Sequence, residues 1–140
     1  MSGDLSKIVI VESPYNSEVS DSEIAMNIIY ARACVTDCLV RGEVPFASHL
    51  FYTQPGVLDD KVALDRERGI KAGLKIASVA DLSVVYLDRG ISKGMKYGIE
   101  NAQKAGRPIE ERVLGNDWYE KFLERIEGHS QKEVWELSCK

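Results

Sequence analysis

The chain has 140 residues, 44% of them hydrophobic, and carries 18 Lys and Arg against 22 Asp and Glu for a net charge of −4. That length and apolar content suit one domain, residues 1–140, with a single core. No apolar run approaches the roughly 20 residues of a membrane span, and the basic residues are scattered rather than gathered in the stripe that duplex nucleic acid requires.

The first seven residues, MSGDLSK, lack the apolar run of a signal peptide. A soluble cytoplasmic protein, with neither nucleic acid nor membrane as partner, is the expectation. Residues 7–114 hold the core elements and 115–140 a terminal helix and tail. The first strand is the continuous apolar run 7–11, of the kind found inside parallel sheets. Ser20 and Glu23 form a capping box for a helix whose stripe is Ile24, Ile28, Ala31, Val35 and Leu39, stopped by Gly42. A short second strand follows at 44–47, then a polar and aromatic loop over 48–60. Ala63, Glu67, Ile70, Leu74 and Ala77 keep helical spacing up to a third strand at 81–87. Ser92 caps the next helix, 108–113 is the fourth strand, and Trp118, Phe122 and Ile126 mark an amphipathic helix at 117–127. This alternation predicts an α/β fold, a flavodoxin-like parallel sheet with helices on both faces.

Ligands of such sheets bind outside the carboxyl ends of the strands. The rule selects Glu12, Ser13, Pro14 and Tyr15 after the first strand and His49 after the second. After the third it selects Asp88, Arg89, Ser92, Gly94 and Met95, where a helix start with a glycine beside it can face a phosphate or a sugar. Asp81 opens its strand at the opposite edge and reads as structural. Cys34 and Cys38 lie one helical turn apart with no nearby His or second Cys pair, so they read as reduced core thiols, and Cys139 in the tail is uninformative. No cofactor and no metal are expected.

Four segments, KIVIVESPYN, RGEVPFASHLFYTQPGVLDD, DRERGIKAG and ADLSVVYLDRGISKGMKYGIENAQKAGRP, together resemble the nucleoside 2-deoxyribosyltransferase-like superfamily, which includes nucleotide N-glycosidases and small uncharacterised domains common in phages. The resemblance covers most of residues 7–112. It implies a nucleoside deoxyribosyltransferase-like fold, a nucleotide-like small molecule as ligand and a homo-oligomer. Members that cut N-glycosidic bonds carry a glutamate on the helix after the third strand, four residues before an Ala and eight before a Gly. Counting back from Ala102 and Gly106 puts Gly98 there. An aspartate eight residues before the Asp that opens the third strand falls on Gly73. Glu100 and Asp88 are the candidate replacements, yet Glu100 points about 200° away from position 98, toward Lys96 and Lys104.

The leading expectation is therefore a binder of a nucleotide or ribose-containing molecule without catalysis, for example a phage-type protein that sequesters a nucleotide signal. The alternative is an active nucleoside or nucleotide N-glycosidase or deoxyribosyltransferase, with Glu100, Asp88, Glu12 or His49 in displaced roles. A protein-interaction module using the terminal helix is the third reading.

Overall fold

Val9, Ile10 and Val11 are buried on both faces of the strand β1 (Ile8–Glu12), which only an interior strand can be. In the computed structural model, which describes residues 6–15 and 20–127, β1 pairs in parallel with β2 (Val44–Phe46) on one side and β3 (Leu82–Tyr86) on the other. Strand β4 (Ile109–Arg112) adds beside β3, giving the order β2-β1-β3-β4. The register sets Val9 opposite Leu82 and Glu12 opposite Val85. This is the parallel flavodoxin-like order read from the sequence. Because the chain leaves β1 for β2 on one side and returns to β3 on the other, the carboxyl ends of β1 and β3 flank the switch point where such sheets open a crevice.

One face of the sheet packs on α1 (Asp21–Val40), whose Tyr30, Cys34 and Cys38 meet Val9, Val11, Leu82, Val84 and Tyr86. Helix α5 (Trp118–Arg125) lies beside it, with Trp118 edge-on to Tyr30 at 5.0 Å. The opposite face receives α4 (Lys93–Ala105) through Met95 and Ala102. The Ser20 cap holds, its hydroxyl accepting from the Glu23 amide at 3.2 Å, and Gly42 ends the α1 turn with φ +85°. Cys34 and Cys38 are buried free thiols. Cys139 lies outside the described residues.

Three sequence expectations shift. The buried stripe of α1 runs through Ile29, Tyr30, Cys34 and Cys38, and Leu39 is 51% exposed, because the aromatic Tyr30 rather than the aliphatic residues is drawn under the sheet. The supposed loop at 48–60 begins as a short helix, α2 (Ser48–Phe51), seated by mutual packing of Phe46, Phe51 and Tyr52. Helix α3 (Ala63–Ala77) buries only Ala77, and Leu64 and Ile70 remain exposed.

Beneath α1 the chain hides a charge. Arg112 donates to both oxygens of Glu43 at 2.8 and 2.7 Å and to the Tyr86 hydroxyl at 3.3 Å, and its side chain is 4% exposed. Tyr86 donates in turn to Asp37 at 2.6 Å. The Arg112 hydrogen bonds hold the Glu43 carboxyl below the usual range despite the opposing effect of burial. Removing one partner leaves the other buried and unpaired, so Arg112→Ala lowers unfolding free energy by about 3–5 kcal/mol. Arg41→Ala, which breaks a solvent-facing pair with Asp37, costs no more than about 1 kcal/mol. Denaturant titration of both variants checks this, and equal losses would contradict it.

Candidate functional site at the carboxyl edge

Residues along a strand alternate in direction, so Glu12 faces away from the Val9 and Val11 side, toward α4. There it meets Gly98. A Cβ built on Gly98 would lie 2.2 Å from Glu12 Oε2 and 2.6 Å from both Cδ and Oε1. The carboxyl thus fills the volume that any side chain at position 98 would need. Burial pushes the Glu12 carboxyl up to about 8, with the positive charge of Arg107 acting the other way. Arg107 is itself anchored, donating to Ser83 Oγ at 2.9 Å, the Ala77 carbonyl at 2.9 Å and Asn101 Oδ1 at 3.1 Å.

The next residue starts a second constellation. Ser13 is 5% exposed and its hydroxyl lies 2.9 Å from His49 Nε2, across from the first turn of α2. Burial lowers the imidazole to about 4, so the ring is neutral near pH 7. Pro14 is buried, and Tyr15 stands edge-on to His49 at 6.1 Å. Tyr15 and His49 border a cavity of about 110 Å³ between α2 and α3, lined also by Ser48, Tyr52, Asp65 and Arg66 among others. A Cβ on Gly73 would approach the Ser48 hydroxyl at 2.9 Å. Both glycines singled out in the sequence therefore face a polar side chain, Glu12 from the end of β1 and Ser48 from the start of α2.

The loop after β3 is occupied differently. Asp88 accepts from the Tyr30 hydroxyl at 2.6 Å and from the Leu114 and Gly115 amides at 2.8 and 3.0 Å. Burial alone would raise its carboxyl, but these donors together hold it below the usual range. Its lone pairs are committed to joining β3, α1 and the segment after β4. Arg89 pairs with Glu23 and donates to Asn27 Oδ1 at 2.9 Å, and Asn27 donates to the Tyr15 carbonyl at 3.1 Å. The Arg89 link thus fixes the loop after β1 against the loop after β3. Ser92 caps α4 by accepting from the Met95 amide at 3.2 Å, and the buried Met95 sulfur accepts from the Ser92 amide at 3.3 Å. Gly94 is exposed, and a Cβ there would have Ser92 Oγ as its nearest neighbour at 3.9 Å.

Glu100 is exposed on the outer face of α4. Asp81 accepts from the Ile8 amide at 2.9 Å and ties down the amino end of β1. Among the described residues no group of three or more His, Cys, Asp or Glu is arranged to hold a metal ion, and no helix is long and apolar enough to cross a membrane. Sequence reasoning reached Glu12 through its place after β1 but missed its contact with Gly98. The available signal was one carboxylate ending an otherwise apolar interior strand, with glycine at position 98 of the helix after the third strand.

Glu12 and His49 give opposite pH dependences. Glu12, raised from 4.5 to about 8 in the fold, contributes stability that is complete below pH 4.5 and is lost as pH rises to 8. His49, lowered from 6.5 to about 4, contributes stability present above pH 6.5 and lost as pH falls to 4. Of these two groups, only Glu12 contributes a slope between pH 6.5 and 8. Denaturant unfolding should therefore show wild-type stability falling across that window and Glu12→Gln flattening the fall. An unchanged slope in the variant would refute the assignment.

A comparison with curated proteins finds no significant match. Among solved structures, the chain is similar to the 2-deoxyribosyltransferase of the psychrotolerant bacterium Bacillus psychrosaccharolyticus, at 14% identity and a TM-score of 0.54 over 91% of this chain and 95% of that one. At that identity the likeness is one of fold, and the fold is nucleoside deoxyribosyltransferase-like. The sequence over residues 7–112 matches the model of a domain of unknown function, DUF7768, and the chain belongs to that family.

Proposed function

We propose that the protein binds a nucleoside or nucleotide across the carboxyl ends of β1, β2 and β3. The observation that carries this reading is the cavity at His49, the partner of Ser13, where the Tyr15, His49 and Tyr52 rings stand near Asp65 and Arg66. Rings supply a face for a planar base, and the charged rim supplies donors and acceptors for its edge. The start of α4 provides amides for a phosphate or sugar oxygen. The similarity in fold to a 2-deoxyribosyltransferase supports the same ligand class. Self-association accompanies it in this reading, since Leu64 and Ile70 of α3 and the nearby Phe51 and Val57 are exposed apolar side chains of the kind a second subunit covers.

On this reading alone the protein is a binder that sequesters its ligand. One observation favours a second reading, in which the ligand is cleaved: position 98 is glycine, yet a carboxyl occupies the space beside it, brought by Glu12.

Calorimetry with a panel of nucleosides and nucleoside monophosphates tests the binding site. Gly94→Leu adds a side chain whose Cβ has Ser92 Oγ, at 3.9 Å, as its nearest neighbour, and it replaces a residue that disfavours helix by about 1 kcal/mol. It should weaken binding at least tenfold while thermal stability holds or rises. Tyr52→Ala should also weaken binding, by about 1 kcal/mol or more for a lost stacking face. Unchanged affinity in both variants would remove this edge from the binding site.

A further inference from the structure

We propose that the groove between α1 and α5 is the docking site of this chain's own segment 128–140, which covers it with Val134, Trp135 and Leu137. The groove shares no residue with the cavity at His49, so the inference stands apart from the binding reading above.

Helical spacing makes the groove. Ala33, Asp37 and Val40 follow one another on α1 at intervals of four and three residues, and Trp118, Phe122 and Arg125 keep the same intervals on α5. Residues so spaced share one face of a helix. The two faces border a trough of about 680 Å³. Its apolar lining is incompletely covered, since Val40 is 65% exposed and no residue of α5 is fully buried. Much of the charge beside it is already committed. Asp37 accepts from the Tyr86 hydroxyl at 2.6 Å and pairs with Arg41 at 3.0 Å, and Lys121 pairs with Asp117 at 3.4 Å. What is left to satisfy is apolar surface between two helices, which suits an apolar stretch of polypeptide better than a polar small molecule.

The chain supplies such a stretch at the end of the groove itself. The described residues stop at Glu127, two positions past Arg125, and the sequence continues GHSQKEVWELSCK. From Trp118 to Arg125 the groove side of α5 runs about 10 Å, whereas the eight residues from Glu127 to Trp135 reach as far as about 26 Å when extended. Trp135 is therefore within reach of the whole trough. Val134, Trp135 and Leu137 form one short apolar cluster flanked by charges of both signs, Lys132, Glu133 and Glu136, and the groove carries both signs where the segment enters, in Glu124 and Arg125. A second copy of the chain would compete for the same surface. A segment tethered this closely has a local concentration on the order of millimolar, well above that of a free second copy at micromolar protein.

The test uses the full chain labelled with fluorotryptophan, which gives one fluorine signal for Trp118 and one for Trp135, assigned with Trp135→Phe. A soluble paramagnetic chelate relaxes the signals that solvent reaches. In wild type both should be shielded. Val40→Glu places a charge in the groove at an exposed position that the fold tolerates. It should speed the chelate-induced relaxation of Trp135 by about threefold or more, as expected when a large covered aromatic is released. Trp135→Ala should expose the Trp118 signal. Dilution of about tenfold in the micromolar range should leave the shielding of Trp135 unchanged, because the segment is tethered. A Trp135 signal as accessible in wild type as in the urea-unfolded chain overturns the proposal. Shielding that Val40→Glu leaves intact overturns it too, and shielding lost on dilution overturns it in favour of a second copy.

Discussion

A carboxyl and a bare α-carbon share one small volume between the central strand and the helix that crosses it. Glu12 can lie there only because residue 98 has no side chain, since even a methyl group would come within 2.2 Å of its oxygen. The constraint runs both ways. Glycine at position 98 weakens α4 as a helix by about 1 kcal/mol relative to alanine, so its presence mid-helix needs a packing or chemical reason. The helix nevertheless holds, because Ser92 caps it, Met95 and Ala102 anchor it to the sheet, and Gly106 ends it in the left-handed conformation.

The two faces of the sheet divide the labour. Under α1 the polar groups are tied to one another: Arg112 with Glu43 and Tyr86, Tyr86 with Asp37, Tyr30 with Asp88. Such a satisfied network rigidifies, and it fixes the loops after β1 and β3 from behind. On the α4 side and at the carboxyl edge lie two further groups shifted by burial. Glu12 is held neutral there, and the neutral His49 faces Ser13. A rigid rear face thus stands behind a front edge where Glu12 and His49 have unusual protonation states.

Much of this was legible in the sequence. The apolar run of β1, the Ser20 and Ser92 caps and the glycines after α1 and α4 are local signals, and local physics fixed those elements where expected. The strand-end rule also brought Glu12, Ser13, Tyr15 and His49 into view, and Ser13 and His49 are in contact. Other features depend on tertiary contact and left no local trace. Asp88 looked available as an acid, but the Leu114 and Gly115 amides that occupy it arrive from 26 residues or more along the chain. Leu39 fitted the helical period of α1, yet Tyr30 and the thiols took the inward face. The empty position at Gly98 was visible as a missing carboxylate, whereas its filling by Glu12 required the distance between two elements 86 residues apart in sequence.

The most direct measurement is the titration of the Glu12 carboxyl itself, followed by carbon NMR on glutamate-labelled protein with Glu12→Gln identifying the resonance. The expected result is a carboxyl that titrates near pH 8 in the wild type and returns toward the ordinary range when Gly98→Ala displaces it from the helix. A Glu12 resonance that titrates near 4.5 in the wild type, or one that ignores the change at position 98, would contradict it.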